Sequence, residues 1–105
     1  MITGHADIRA IIINGKQITP ERSLALVNHS PTGFNWGYHG SGPAQTALAI
    51  LLEFTDQDTA LKLYQDFKRD IIASFKSDQD FRLANRDVNY WLTRKKEQLK
   101  KKEAI

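Results

Sequence analysis

The sequence predicts an α+β domain, on three observations. β-branched and apolar runs cluster before residue 40, helix-period patterns fill the remainder, and the two kinds of segment do not alternate. The expected architecture is a small antiparallel sheet, an N-terminal hairpin plus further strands, packed on a buried central helix with two flanking helices.

Residues 7–13 end in Ala10-Ile11-Ile12-Ile13 and read as the first strand, because β-branched side chains suit a pleated, half-buried surface. Asn14-Gly15 follows, the strongest short hairpin signal, since a type I′ turn needs positive φ at both positions. Residues 16–19 return antiparallel until Pro20, which has no N–H to give to a ladder. Ser23-Leu24-Ala25-Leu26-Val27 is a third short apolar segment, also read as a strand. Residues 28–33 form a turn cluster, and residues 34–38 alternate bulky with small side chains as a further strand would.

The central helix is expected over residues 43–54. Pro43 at a first helical position loses nothing, and Ser41 or Gly42 can cap it. Gln45, Thr46, Ala49 and Glu53 fall within about 100° of one another on a helical wheel, and every other position is apolar. Such a helix shows water a narrow stripe and must lie in the core. Residues 55–58 break it and supply caps for a second helix running to about Phe75, with Ala60, Leu61, Leu63, Tyr64, Phe67, Ile71 and Ile72 at helical spacing. Phe81-Arg82-Leu83 reads as a short extended piece, and Asn85 as the cap of a last helix whose apolar side is Val88, Trp91, Leu92 and Leu99.

At 105 residues the chain is the size of one domain. The expected division is a single α+β domain over residues 1–93 and a basic, solvated C-terminal helix extension or tail over residues 94–105. The net charge of +3 belongs to that tail: residues 94–103 hold six basic and two acidic side chains, so the body is slightly acidic. Weak nucleic-acid contact is therefore an expectation for the tail, not for a basic face of the domain. Without cysteine there are no disulfides, thiolate metal sites or cysteine nucleophiles. The longest apolar run, Ala47 to Leu52, is six residues, far short of a membrane span. No secretion signal is read at the N-terminus. A cytoplasmic protein without a membrane association is expected.

The stretch Gly37-Tyr38-His39-Gly40-Ser41-Gly42-Pro43 carries the most chemistry. Its glycines permit tight turns just before a helix N-terminus, where unpaired N–H groups and the helix dipole favour an anion. The candidate ligand-binding residues are Gly40, Ser41 and Gly42, with Gln45 and His39 as hydrogen-bonding partners, Trp36 as a stacking surface and Lys68 as a fixed charge. Neither phosphate-loop fingerprint, GxGxxG or GxxxxGK[ST], is met. The same glycines also serve a purely architectural role, turning the chain sharply into a buried helix. Ser41 lies between glycines, but the nucleophile elbow G-x-S-x-G fails because position 39 is His and position 43 is Pro. His5, His29 and His39 lack metal-ligand spacing. No catalytic residue, metal or cofactor is called for. Asp56 and Asp58 are better explained as helix caps than as the start of a calcium loop.

The run Pro31-Thr32-Gly33-Phe34-Asn35-Trp36-Gly37-Tyr38-His39-Gly40-Ser41-Gly42-Pro43-Ala44-Gln45 resembles the hallmark of an uncharacterised family of bacteria and their phages, catalogued as domain of unknown function number 6166. Residues 47–52, Leu63-Tyr64-Gln65-Asp66-Phe67-Lys68 and Asp87-Val88-Asn89-Tyr90-Trp91-Leu92 fit the same pattern. The resemblance implies no activity, and only a phage setting in which a domain modulates a host process by binding a nucleotide signal or a protein. The expectation is thus a non-enzymatic binding module holding a phosphate- or nucleotide-like molecule at the glycine-rich turn. The alternatives are a host-protein interaction or inhibitor module in which the motif is scaffold, and, as a minor one, a hydrolase. A homodimer stays open.

Overall fold

The computed structural model describes residues 1–30 and 33–103. Pro31 and Thr32 of the expected turn cluster, and the last two residues of the tail, lie outside the described residues. The elements are β1 (Ile2–His5), β2 (Ala10–Ile13), β3 (Lys16–Ile18), α1 (Glu21–Leu26), α2 (Ser41–Phe54), α3 (Gln57–Asp70), a 3-10 turn (Ile72–Ser74), β4 (Phe81–Leu83) and α4 (Asn85–Glu103). The strands form one antiparallel sheet in the order β3-β2-β1-β4. The molecule is a small α+β fold.

Register puts Ile2, Gly4, Ile11, Ile13, Phe81 and Leu83 on the buried face. Thr3, Ile12, Gln17 and Arg82 alternate onto the other face, as a sheet covered by helices on one side requires. Asn14 and Gly15 have φ of 51° and 84°, the two positive values a type I′ hairpin needs. Gly4 faces Phe81 across the β1–β4 pair, and a Cβ there would fall 2.1 Å from the Phe81 ring. The ring therefore occupies the space a side chain at position 4 would take.

Several expectations about elements are corrected, among them the second helix, which stops at Asp70 and gives way to the 3-10 turn rather than running to about Phe75. The first strand is shorter than residues 7–13, because 6–9 form a turn with Arg9 at φ 51°, and besides β3 it pairs with β1, where no strand was expected. Residues 23–26 belong to helix α1, not a strand, and Val27 is its extended C-cap. Pro20 starts it, Leu24 N–H bonds back to the Pro20 carbonyl, and the helical turn aims Ser23 inward at Gln45. A run of five apolar or small residues cannot distinguish the two states by period alone.

Residues 34–38 are not a strand either. Asn35 N–H donates to Thr46 Oγ1, Trp36 N–H to Asn35 Oδ1, and Gly37 N–H to the Ile72 carbonyl. Side chains and a distant turn satisfy this backbone, so no ladder is needed. The alternation arises because Phe34 and Trp36 enter the core while Asn35 is held at its edge.

Helix α2 is the core of the molecule, with residues 42–52 all buried. The expected solvent stripe is covered: Gln45, Thr46 and Ala49 are buried, and only Glu53 of that set reaches water. Helix α1 lies on that side, with Arg22 donating to the Leu52 carbonyl at 3.3 Å and facing Glu53 at 3.9 Å. The cap of α2 is also corrected: Gly40 holds the N-cap position in extended backbone with no side-chain cap, and Ser41 is already helical. Asp56 does cap α3, accepting from Thr59 N–H at 3.1 Å. Asn85 does not cap α4 with its side chain, which donates instead to Asn14 Oδ1 of the hairpin at 2.8 Å. Helix α4 runs unbroken to Glu103, its last fully buried residue being Leu92. Among the described residues no helix is long and apolar enough to cross a membrane.

Candidate functional site

The seven residues singled out around the glycine-rich turn divide into an inner and an outer set. Trp36 is wholly buried; its indole N–H donates to the Gln79 carbonyl at 3.0 Å and its ring meets Phe81 edge-on at 5.0 Å. Phe81 stacks in turn on Phe75. Gln45 is equally buried, and both polar atoms of its amide are engaged: Oε1 accepts from the N–H groups of His29 (2.8 Å) and Ser30 (3.2 Å), and Nε2 donates to Ser23 Oγ (2.8 Å). Gly42 is buried beneath Asn35 and Tyr38. These three face inward.

His39 and Ser41 are exposed, with Gly40 half-buried between them. Ala44 N–H makes the first intrahelical bond, to the Gly40 carbonyl, and Pro43 has no N–H. The helix entrance therefore offers the N–H groups of Ser41 and Gly42, with no acidic residue in the first turn to compensate the dipole. Ser41 makes no hydrogen bond with a histidine among the described residues. His29 Nε2 lies 2.7 Å from Tyr64 Oη, and His5 Nε2 lies 3.1 Å from Thr3 Oγ1. Lys68 is half-buried and has no ion pair among the described residues. It stands one turn after Tyr64, which holds His29, and four residues before Ile72, whose carbonyl holds Gly37.

Gly37 is the position where the motif's glycine is indispensable. Its φ is +84°, and a Cβ would lie 2.4 Å from the Ser77 backbone nitrogen and 2.7 Å from the Phe75 carbonyl oxygen. Two strands of irregular chain cross there with no room for a side chain.

The sequence reading missed other chemistry. Arg9 lays its guanidinium 4.9 Å from the centre of the Trp36 ring, and its Nη1 is shut off from water without a hydrogen-bond partner. A groove of about 370 Å³ runs between the end of α3 and the middle of α4. Ile71 and Trp91 line its apolar part, and Tyr90, Arg94, Lys95 and Gln98 line its α4 side. Trp91 is held in place: its indole N–H donates to Asp70 Oδ2 at 2.9 Å and its ring packs edge-on against Phe67. Lys95 pairs with Asp70 at 3.3 Å and covers the Trp91 ring. Burial pushes the Asp70 carboxyl up, but the Trp91 N–H, Lys95 and Arg69 together outweigh it and leave its pKa below the usual value. Tyr90 is 65% exposed, with the Arg94 guanidinium 5.8 Å from its ring centre. The readable signal was the spacing: Tyr90 to Arg94 and Trp91 to Lys95 are both aromatic-to-basic pairs four residues apart, neighbours on a helix surface.

A second groove of similar volume lies between β3, α1 and the C-terminal end of α2. Neither groove is lined by residues of the glycine-rich turn. Among the described residues no three histidine or carboxylate side chains gather as a metal-binding group.

No curated protein and no solved structure matches the chain. Residues 3–94 match the family described as a family of unknown function, DUF6166, and the chain belongs to that family.

Proposed function

We propose that this domain is a non-enzymatic protein-binding module, with the glycine–aromatic motif as its internal scaffold. The observation that carries this reading is the direction of the motif's polar groups. The Gln45 amide, the Trp36 indole N–H and the Thr46 hydroxyl are all spent on the chain's own backbone and side chains. They tie α1, residues 29–30, residues 35–46 and the 75–80 loop into one body, and an interior network of that kind rigidifies a surface rather than greeting a ligand. Outside this network, the exposed aromatic rings among the described residues are Tyr38 of the motif and, more exposed and beside the Arg94 guanidinium, Tyr90 on α4. Ribosome-display selection of random peptides on the full chain tests the reading. Recurrent binding sequences are the expected result, and a selection that enriches none defeats it.

A second reading, an anionic ligand at Gly40–Gly42, draws support from one specific observation: α2 starts without a side-chain cap or a first-turn carboxylate, beside exposed His39 and Ser41. The ligand would be phosphate- or nucleotide-like, with Lys68 as the charge. Thermal-shift titration with inorganic phosphate and nucleotides decides it. A rise in melting temperature that Ser41→Asp abolishes favours this second reading, and a flat panel removes it.

A further inference from the structure

Resting on the protein-binding reading, we infer that the α3–α4 groove is the docking surface, and that its occupant is a partner-protein segment with one bulky apolar anchor followed by acidic residues. Three side-chain types that dominate interface energetics, Trp, Tyr and Arg, are contiguous there as Trp91, Tyr90 and Arg94. The apolar floor is fixed before binding, because Asp70 holds the Trp91 indole and Phe67 packs against its ring. A preformed pocket spares the ordering cost that weakens most surface contacts. Its volume of about 370 Å³ suits a single large side chain rather than an extended chain.

Charge decides the partner's chemistry. Lys95 is neutralised by Asp70, whereas Arg94 and Lys101 have no ion pair among the described residues. Arg94 is the cation at that end of the lining without an ion pair among the described residues, and beyond it residues 94–103 hold six basic side chains against Glu97 and Glu103, so the C-terminal end of the groove opens onto a net cationic stretch of helix. The opposite end carries Asp87, also without an ion pair among the described residues. The groove is therefore polar along its length, acidic at the start of α4 and basic beyond Arg94. A nucleic-acid strand repeats one negative charge per nucleotide and would run its phosphates past Asp87 and Asp70. A peptide whose acidic residues lie on one side of its anchor matches the gradient, and electrostatic complementarity of this kind sets register and on-rate.

The test uses peptides from ribosome display on the full chain, followed by amide shift mapping and affinity measurement. The expected consensus is a Phe, Leu or Trp flanked on one side by Asp or Glu, with shifts confined to residues 70–71 and 87–101. Arg94→Glu and Tyr90→Ala, both at exposed positions, should each weaken binding at least about tenfold. Arg82→Glu makes the same change in net charge on the open face of the sheet and should leave affinity within about twofold. Binding should also fall as salt is raised. Peptides that bind with shifts elsewhere overturn the docking surface while leaving the protein-binding reading intact. A basic or neutral consensus overturns the charge assignment. Selective binding of an oligo-dT strand at these residues, or self-association of the domain that Arg94→Glu abolishes, replaces the partner segment by nucleic acid or by a second copy. A selection that enriches no peptide defeats the underlying reading together with the inference.

Discussion

Gly37 and Arg9 show how single residues decide the geometry of this fold. At Gly37 a methyl group meets backbone on two sides and the φ is one that L residues avoid. Gly37→Ala therefore combines a conformational penalty of about 1 kcal/mol with an overpacking cost of about 1–3 kcal/mol. Urea denaturation should show a loss of at least about 2 kcal/mol with an unchanged m-value. Arg9 makes the opposite case. Its guanidinium gains about 2 kcal/mol over the wholly buried Trp36 ring but leaves a buried nitrogen unpaired, which costs about 1–3 kcal/mol. The two effects nearly cancel. Arg9→Met keeps the stem over the indole while removing both, so its stability should stay within about 1 kcal/mol of the parent in the same measurement.

Among the elements, α2 owes its burial to polar ties that pattern reading assigns to solvent. Gln45 joins its own helix to two segments 15 or more residues before it: α1 through Ser23, and the loop through His29 and Ser30. Gln45→Leu conserves bulk but strands the His29 and Ser30 N–H donors, while Ser23 Oγ keeps its bond to the Pro20 carbonyl, and should cost about 2–4 kcal/mol by denaturant unfolding. Helix α3 depends on its caps in a different way. The Asp56 carboxyl is held below its usual value by the Thr59 hydroxyl and then the Thr59 N–H. With the folded pKa depressed, this contribution is complete above the unfolded value and is lost as pH falls through the folded one. Asp70 shifts in the same direction. The melting temperature should fall steeply below about pH 4, and Asp56→Asn with Asp70→Asn should make that fall shallower. The sequence was informative where local chemistry decides structure, as at Asn14-Gly15, at the Asp56 cap and along α2 and α3. It misled at residues 23–27 and 34–38, where the deciding bonds go to Gln45 and Thr46, partners that no local pattern reveals. The candidate site fared alike: the glycine motif stood out by composition, while the Tyr90–Arg94 face was visible only as helical spacing.

On the scale of the whole molecule, the shape separates a core from an arm. The principal extents are 46 × 26 × 24 Å, and the long one exceeds what a compact body of this radius of gyration, 13.1 Å, requires. Helix α4 accounts for it: the last fully buried residue is Leu92, and the eleven residues to Glu103 add about 16 Å of helix. Beyond Lys95, contacts along that arm are sparse, chiefly half-buried Leu99 and the exposed Lys62–Glu103 pair at 3.6 Å, and an exposed pair contributes at most about 1 kcal/mol. Removing residues 96–105 forfeits those and partial burial of one leucine, about 1–2 kcal/mol together. Lys95, Trp91 and Asp70 survive the cut, so the α3–α4 contact stays closed. The truncated chain should unfold in one cooperative transition a few degrees below the parent, with a far-UV signal reduced by about two helical turns. It also loses four lysines and two glutamates. If the arm acts through charge, peptide affinity should drop chiefly in its association rate, and raising the salt should erase most of the difference between the two chains. A loss that persists at high salt would instead mean that Gln98 and Leu99 make the contact directly.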